Sequence, residues 1–269
     1  MGLYMNILVT GPRGKMGRLI VKMAENTDGL KVVSAVAPKG RDYIGKDVGL
    51  VSGLGKSIGA EVTDDLESVI ERCDAVIDYT TPKFSMEVMR KALEYKKGVV
   101  CGTTGFSEKQ YDEIKKLSKH IPLIIAANTS MVVNLMYELL KISAQAIGNM
   151  SDIEIIEMHD RYKKDAPSGT SREMGEIMAK VLGKNLKEVA VYGREGEEPR
   201  KEGTIGFHSV RAGDISSSHT VIFGLMGERL EITHHAYNWE CFARGACRAA
   251  LFLEAKESGI YGMEDVLRI

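Results

Sequence analysis

The chain is poor in tryptophan, proline and cysteine, carries no charge excess and contains no long apolar run. Its 269 residues include one Trp, six Pro and four Cys, and aromatic residues make up 6%. Lys plus Arg total 36 against 37 Asp plus Glu, so nothing favours nucleic acid or an anionic membrane as a partner, and any bound anion must be held by a local site. Cys73, Cys101, Cys241 and Cys247 form no C-x-x-C pair and no metal-ligand spacing, so no bound metal is expected and a reduced cytoplasmic protein is. No apolar run approaches about 18 residues, and "MGLYMNILVTG" lacks a basic region followed by an apolar core. Neither export nor a membrane span is expected.

What is present is a globular composition, 44% apolar and 27% charged, long enough for one large or two ordinary domains. The first half alternates apolar runs at 6–10, 31–37, 74–80, 98–103 and 123–127 with helical patterns at 15–25, 64–72, 83–96 and 107–119. Buried parallel strands read as continuous Val/Ile/Leu runs, so this rhythm predicts an α/β, Rossmann-type parallel sheet. Thr63 or Asp64 is expected to cap one helix, and Ser107 with Gln110 forms a capping box for another. After Asn128 the rhythm changes. A helix at 134–150, a strand "DIEIIEMH", a helix near 171–182, strands at 203–210, 219–225 and 228–236 and a helix from Trp239 predict a second α+β domain with an open mixed sheet. The expected division is 1–130 with 237–269, and 131–236. "YGREGEEPRKEG" reads as a surface loop.

"NILVTGPRGKMGRLI" is a strand, a turn with Gly11, Gly14 and Gly17, and a helix. Such a turn brings backbone N–H groups and a helix amino terminus up to a dinucleotide pyrophosphate. The alternative is a glycine turn without a ligand. An NAD enzyme would end the second strand with an acidic residue, but here it ends "AVAPKGR" with no carboxylate before Asp42. Lys39 and Arg41 meet a 2′-phosphate instead, or are solvated surface charge; on the first reading NADPH binds at least as well as NADH. "CGTTGF" (101–106) and "AANTS" (126–130) follow strand ends on the same sheet edge, where ligands bind in open α/β sheets, although each also reads as a turn.

"EMHDRYKKDAPSGT", residues 157–170, reads as an anion site. Ser168, Gly169 and Thr170 present successive N–H groups at a helix start, Lys163 adds positive charge, and a small carboxylate is the natural occupant. His159 ends a strand, and an imidazole suits proton transfer near neutral pH. A structural histidine beside an ordinary cap is the competing reading.

Together "GPRGKMG", "DYTTP", "GTTGF", "EIIEMHDRYKKDAPSGT", "IGFHSVRAGD" and "GERLEITHHA…FARGA" resemble the 4-hydroxy-tetrahydrodipicolinate reductases, the dihydrodipicolinate reductases of bacterial lysine and diaminopimelate synthesis. The resemblance covers nearly the whole chain. It implies a cytoplasmic homotetramer that uses NADPH or NADH to reduce a cyclic α,β-unsaturated imine dicarboxylate, with no nucleic-acid or membrane partner. His159 is then the acid/base residue and Lys163 the second proton donor. Thr104, Ser168, Gly169 and Thr170 hold substrate carboxylates. Gly11, Pro12, Arg13, Gly14, Lys15 and Met16, with Gly102, Thr103 and Thr104 and with Ala126, Ala127, Asn128 and Thr129, line the cofactor.

Four positions depart from the pattern. Asp160 occupies the substrate-contacting position directly after His159, where a second histidine is usual. Lys15 and Trp239 each replace an arginine, and Val132 replaces a glycine. A carboxylate about 6 Å from a substrate carboxylate costs roughly 2 to 4 kcal/mol at an effective dielectric near 20, unless Arg161 or Lys164 neutralises it or it points away. A related reductase of another imine, or a non-catalytic cofactor-binding protein on the same scaffold, therefore remains beside the first reading; retention of His159 and Lys163 argues against the last.

Overall fold

The computed structural model describes residues 4–269. They divide into two compact units, one comprising the chain up to Met131 together with Trp239–Ile269, the other Val132–Asn238.

The first unit contains β1 (Met5–Thr10), α1 (Lys15–Ala24), β2 (Leu30–Val36), α2 (Val48–Ser52), β3 (Glu61–Thr63), α3 (Glu67–Ile70), β4 (Ala75–Asp78), α4 (Pro82–Glu94), β5 (Gly98–Cys101), α5 (Glu108–Leu117) and β6 (Pro122–Ile125). Seven parallel strands, completed by β12 (Gly259–Tyr261), lie in the order β12-β6-β5-β4-β1-β2-β3. Alternation along each strand feeds two cores. Ile7, Val9, Ile77, Val100 and Ile124 pack toward one face, with Ile20 and Val21 of α1 and with Ala246 and Ala250. Leu8, Val76, Val99 and Leu123 pack toward the other, with Met86, Met89 and Ile114 of α4 and α5. Each large apolar side chain so buried contributes about 1.5–3 kcal/mol.

The second unit contains most of α6 (Met131–Ile147), then β7 (Asp152–His159), α7 (Gly169–Val181), α8 (Leu186–Val189), β8 (Ala190–Tyr192), β9 (Ile205–Arg211), β10 (Ser217–Leu225) and β11 (Glu228–Ala236). Its sheet is mixed, in the order β11-β10-β7-β9-β8, with β7, β9 and β8 parallel and β10 antiparallel to both of its neighbours. One face packs Ile153, Ile155, Phe207, Val221 and Phe223 against Leu140 of α6 and Met174 of α7. The chain then returns to the first unit through α9 (Glu240–Leu253), β12 and α10 (Met263–Leu267).

Both the Rossmann-type sheet and the mixed sheet match the expectation from sequence. So does the capping box at Ser107 and Gln110. The helix expected over 64–72 shrinks to α3, and neither Thr63 nor Asp64 caps it. Thr63 Oγ1 instead accepts from the Asp65 N–H, and Asp65 Oδ1 accepts from the N–H of Glu67 at 3.0 Å. The short elements β3, β8, β12, α2, α8 and α10 were not expected. "YGREGEEPRKEG" is a loop, but an anchored one: Arg194 and Arg200 both reach Glu154, as does His208. Burial raises the Glu154 carboxyl, yet these partners outweigh it and hold it at about 2.

Candidate active site

In the first unit the glycine turn follows β1. Gly11 has φ +62°, a left-handed conformation that favours glycine, and its N–H donates to Val36 O. A Cβ at Gly17 would strike the Gly11 carbonyl, so the helix packs directly on the turn. Gly14 caps α1 without a side chain, and no acidic residue stands in the first turn. This arrangement fits a dinucleotide phosphate: a glycine turn of little side-chain bulk leads into a positive helix end whose first turn carries no acidic residue. Arg13 pairs with Asp42 at 2.9 Å, so the first carboxylate after β2 is already engaged by a cation of the loop. Lys39 and Arg41 are exposed beyond the end of β2.

The neighbouring loops are tied to one buried carboxylate. Asp78, fully buried at the end of β4, accepts from Thr10 Oγ1 at 2.6 Å, Thr80 Oγ1 at 2.7 Å, Thr103 Oγ1 at 3.2 Å and Ser85 Oγ. Tyr79 lies against Gly102, where a Cβ would collide with its ring, and its hydroxyl bonds Thr129 Oγ1 at 2.6 Å. Thr129 Oγ1 also donates to Phe242 O. The side chains of Thr103 and Thr129 therefore turn inward, and these residues offer a ligand their backbone. Thr104 and Ala127 are exposed, while Gly102, Ala126 and Asn128 are partly so.

In the second unit, alternation along β7 sets Glu157 and His159 on the face that also carries Ile153 and Ile155. His159 Nδ1 hydrogen-bonds Glu157 Oε2. Parallel register brings Arg211 opposite His159, and its guanidinium grips Glu157 with Nη1 at 2.9 Å and Nη2 at 2.8 Å. Antiparallel register brings His219 opposite Glu157. Burial would raise the Glu157 carboxyl, but hydrogen bonds from His159 and Arg211 prevail and hold it at about 2.

The same carboxylate reaches the start of α7: the Ser168 N–H donates to Glu157 Oε1 at 3.3 Å. Ser168 caps α7 by accepting from the Ser171 N–H, and its hydroxyl also meets His219 Nε2 at 3.2 Å. His219 stands edge-on to His159, with ring centroids 5.3 Å apart. Burial first, then the nearby His159 and His234, drive the His219 imidazole down to about 3 and keep it neutral. A Cβ at Gly169 would meet nothing within 4 Å, so space opens at the first turn of α7. Thr170 hydrogen-bonds Tyr137 of α6.

Two expected residues are engaged differently. The Lys163 ammonium pairs with Asp165 at 2.9 Å. Asp160 folds one carboxylate oxygen back onto the Tyr162 N–H at 2.8 Å, an Asx turn that spends it within its own loop. Sequence reasoning passed over Glu157, Arg211, His219 and Asp78. The one signal available was the two-residue spacing from Glu157 to His159, which places both on one face of a strand.

Two family models match the chain, dihydrodipicolinate reductase N-terminus over residues 5–129 and dihydrodipicolinate reductase C-terminus over residues 132–267. The chain belongs to the dihydrodipicolinate reductase family. It is thus an oxidoreductase of lysine and diaminopimelate biosynthesis with a pyridine-nucleotide-binding Rossmann domain. A 4-hydroxy-tetrahydrodipicolinate reductase of Syntrophus aciditrophicus (strain SB) is 44% identical over 263 residues, 97% of each chain. The dipicolinate-bound dihydrodipicolinate reductase of Paenisporosarcina sp. TG-14 superposes with a TM-score of 0.80 at 27% identity, over 98% of this chain and 99% of that one. An amine dehydrogenase from Mycobacterium smegmatis shares the fold, with a TM-score of 0.62 at 13% identity over 97% and 95% of the two chains.

Within this reductase the departures at Lys15 and Trp239 meet: the Lys15 ammonium lies 3.3 Å from the centroid of the Trp239 ring. Val132 is exposed in the first turn of α6. Cys73, Cys101 and Cys247 are buried free thiols that burial pushes up to about 12, so they are inert at neutral pH.

Proposed function

We propose that the two units divide one reaction, the reduction of 4-hydroxy-tetrahydrodipicolinate to tetrahydrodipicolinate. Bound NAD(P)H supplies the hydride. Gly11 to Met16, Gly102 to Thr104 and Ala126 to Thr129 hold the cofactor in the first unit. Lys39 and Arg41 receive a 2′-phosphate, so NADPH serves at least as well as NADH. Ser168, Gly169 and Thr170 seat a substrate carboxylate at the start of α7, with Thr104 and Lys163 as further partners. The ligand of the Paenisporosarcina relative is itself a dicarboxylate, in keeping with such a seat.

The observation that carries this reading is that Glu157 bonds both His159 Nδ1 and the Ser168 N–H. One buried carboxylate thereby orients the proton donor and the carboxylate seat together. Loss of the 4-hydroxyl as water, its oxygen protonated by Lys163 while the ring carbon between C4 and the imine gives up a proton, forms the conjugated imine. After hydride addition at C4, His159, with Nδ1 committed to Glu157, returns a proton through Nε2 to that carbon. Fixed N–H dipoles and cations around the dicarboxylate draw electron density from the conjugated system and make it a better hydride acceptor. The Asx turn engages one oxygen of the Asp160 carboxylate within its own loop, which supports the reading in which Asp160 points away from the substrate. By its resemblance to the family the enzyme is a cytoplasmic homotetramer. Among the described residues no helix is long and apolar enough to cross a membrane.

The test couples the purified chain to dihydrodipicolinate synthase and follows loss of NADPH, then NADH. Turnover at or above roughly 1 s⁻¹ is expected, and His159→Gln should lower kcat about 10²- to 10⁴-fold. No turnover with tight NADPH binding would redirect the search to another imine; a tenfold or greater preference for NADH would refute the role given to Lys39 and Arg41.

A further inference from the structure

The segment that leads into α7 is fastened to three strands of the mixed sheet. From β9, Arg211 Nη2 donates to Asp165 O at 2.6 Å. From β7, Glu157 Oε1 accepts from the Ser168 N–H at 3.3 Å. From β10, His219 Nε2 shares a hydrogen bond with the Ser168 hydroxyl at 3.2 Å. The first two belong to the charged cage around Glu157. The third stands outside it.

The His219 ring has little freedom of its own. It is 1% exposed, lies edge-on to His159 with centroids 5.3 Å apart, and stacks on His234, its register partner on β11, with centroids 6.3 Å apart. A ring so held fixes the hydroxyl that it bonds, and with that hydroxyl the start of α7. Bonds to one residue from two different strands also remove the pivot that a single bond would leave. Burial first, then the neighbouring imidazoles, keep His219 neutral, so it ties the helix start without opposing a proton on His159, as a buried lysine or arginine there would. We propose that His219 is a positioning residue of the substrate site, its imidazole locking the start of α7 to the sheet face that carries His159, so that carboxylate seat and proton donor keep one spacing. The inference rests on the assignment of that seat to a substrate carboxylate.

The probe is dipicolinate, the dicarboxylate bound to the Paenisporosarcina relative, titrated calorimetrically into the full-length enzyme, with coupled kinetics on the same samples. His219→Phe keeps a ring between the two imidazoles but cannot bond Ser168. It should raise the Kd for dipicolinate and the substrate KM about three- to tenfold, as loss of one hydrogen bond does. It should lower kcat about tenfold, well short of the His159→Gln loss, because a displaced seat misaligns the reacting atoms. The Kd for NADPH should stay within about twofold of wild type. His219→Gln, whose amide can bond the same hydroxyl, should bring dipicolinate binding back to within about twofold of wild type, whatever its Tm. A residue that only packed the core would lower Tm and leave these constants of the folded enzyme unmoved. Wild-type values of dipicolinate Kd and kcat in His219→Phe, a His219→Gln variant as weak as His219→Phe, or a parallel loss of NADPH affinity overturns the proposal. If the wild-type enzyme neither binds dipicolinate nor turns over, the seat assignment falls and this role with it. If it does both and His219→Phe matches it, only the role of His219 falls. Should His219→Phe fail to fold, Ser168→Ala removes the same bond from the other side: a rise of about three- to tenfold in dipicolinate Kd supports the role, and wild-type affinity overturns it.

Discussion

Asp78 at the end of β4 and Glu157 near the end of β7 are both buried carboxylates, and their surroundings stabilise them in opposite ways. Asp78 is ringed by the hydroxyls of Thr10, Thr80, Ser85 and Thr103, with the Cys101 thiol 3.8 Å away. Glu157 is held by the Arg211 guanidinium, the His159 imidazole and one backbone N–H. A cage of neutral donors fixes where loops sit: Asp78 joins the ends of β1, β4 and β5 at the edge assigned to the cofactor. A cage containing a cation and an imidazole also sets charge and orientation, which is what a proton donor requires. The difference matches the proposed division of labour, in which the first unit presents the cofactor and the second delivers a proton.

The largest effect should come from breaking the charged cage. Glu157→Gln leaves His159 without its anionic partner and Arg211 without its counter-charge, and kcat should fall by about 10²- to 10⁴-fold, as when the carboxylate behind a catalytic imidazole is neutralised. A kcat within threefold of wild type would show that Glu157 does not orient His159.

Acid should reveal the same cage without mutation. The folded-state value of Glu157, about 2, lies below its ordinary 4.5. The group therefore contributes its full stabilisation above about pH 4.5 and loses it as pH falls through about 2. That contribution is roughly 3 kcal/mol. Glu154 shares the direction and the window. Denaturant melts between pH 5 and 2 should show this loss, and it should shrink in Glu157→Gln; equal slopes in the two proteins would contradict the assignment.

The smallest effect belongs to the hydroxyl cage. Asp78→Asn replaces an acceptor oxygen with an NH₂ that cannot accept from a hydroxyl, costing about 1–3 kcal/mol of stability. Binding of NADPH should weaken while kcat changes far less than in Glu157→Gln. Calorimetric binding and steady-state kinetics on both variants place the two cages on one scale, and a larger kcat loss in Asp78→Asn would reverse the comparison.

Much of the fold is legible in the residues because its signals are local. Strands buried on both faces must be apolar throughout, so β1, β2, β4, β5 and β6 stand out as runs, and the capping box at Ser107 lies within four residues of sequence. The elements passed over, such as β8, β12 and α10, span three to five residues and carry too little periodicity to register. The loop at Asp160 shows the limit at closer range. Its charge alone predicts repulsion, while the bond from one of its oxygens to the amide two residues on is seen only in the structure.

The contiguous parts of this enzyme were thus determined by sequence alone: the glycine turn, the helix start at Ser168 to Thr170, the histidine ending β7 and the order of the longer strands and helices. Only the tertiary structure decided what stands behind them. Arg211 lies 54 residues from Glu157 and His219 lies 51 from Ser168, and three-strand register brings them together. Trp239 meets Lys15 because α9 packs along α1. A hydrogen bond or a cation over a ring depends on distances of about 3 Å, and in a sheet that distance follows from pairing and register, which no local stretch of sequence encodes.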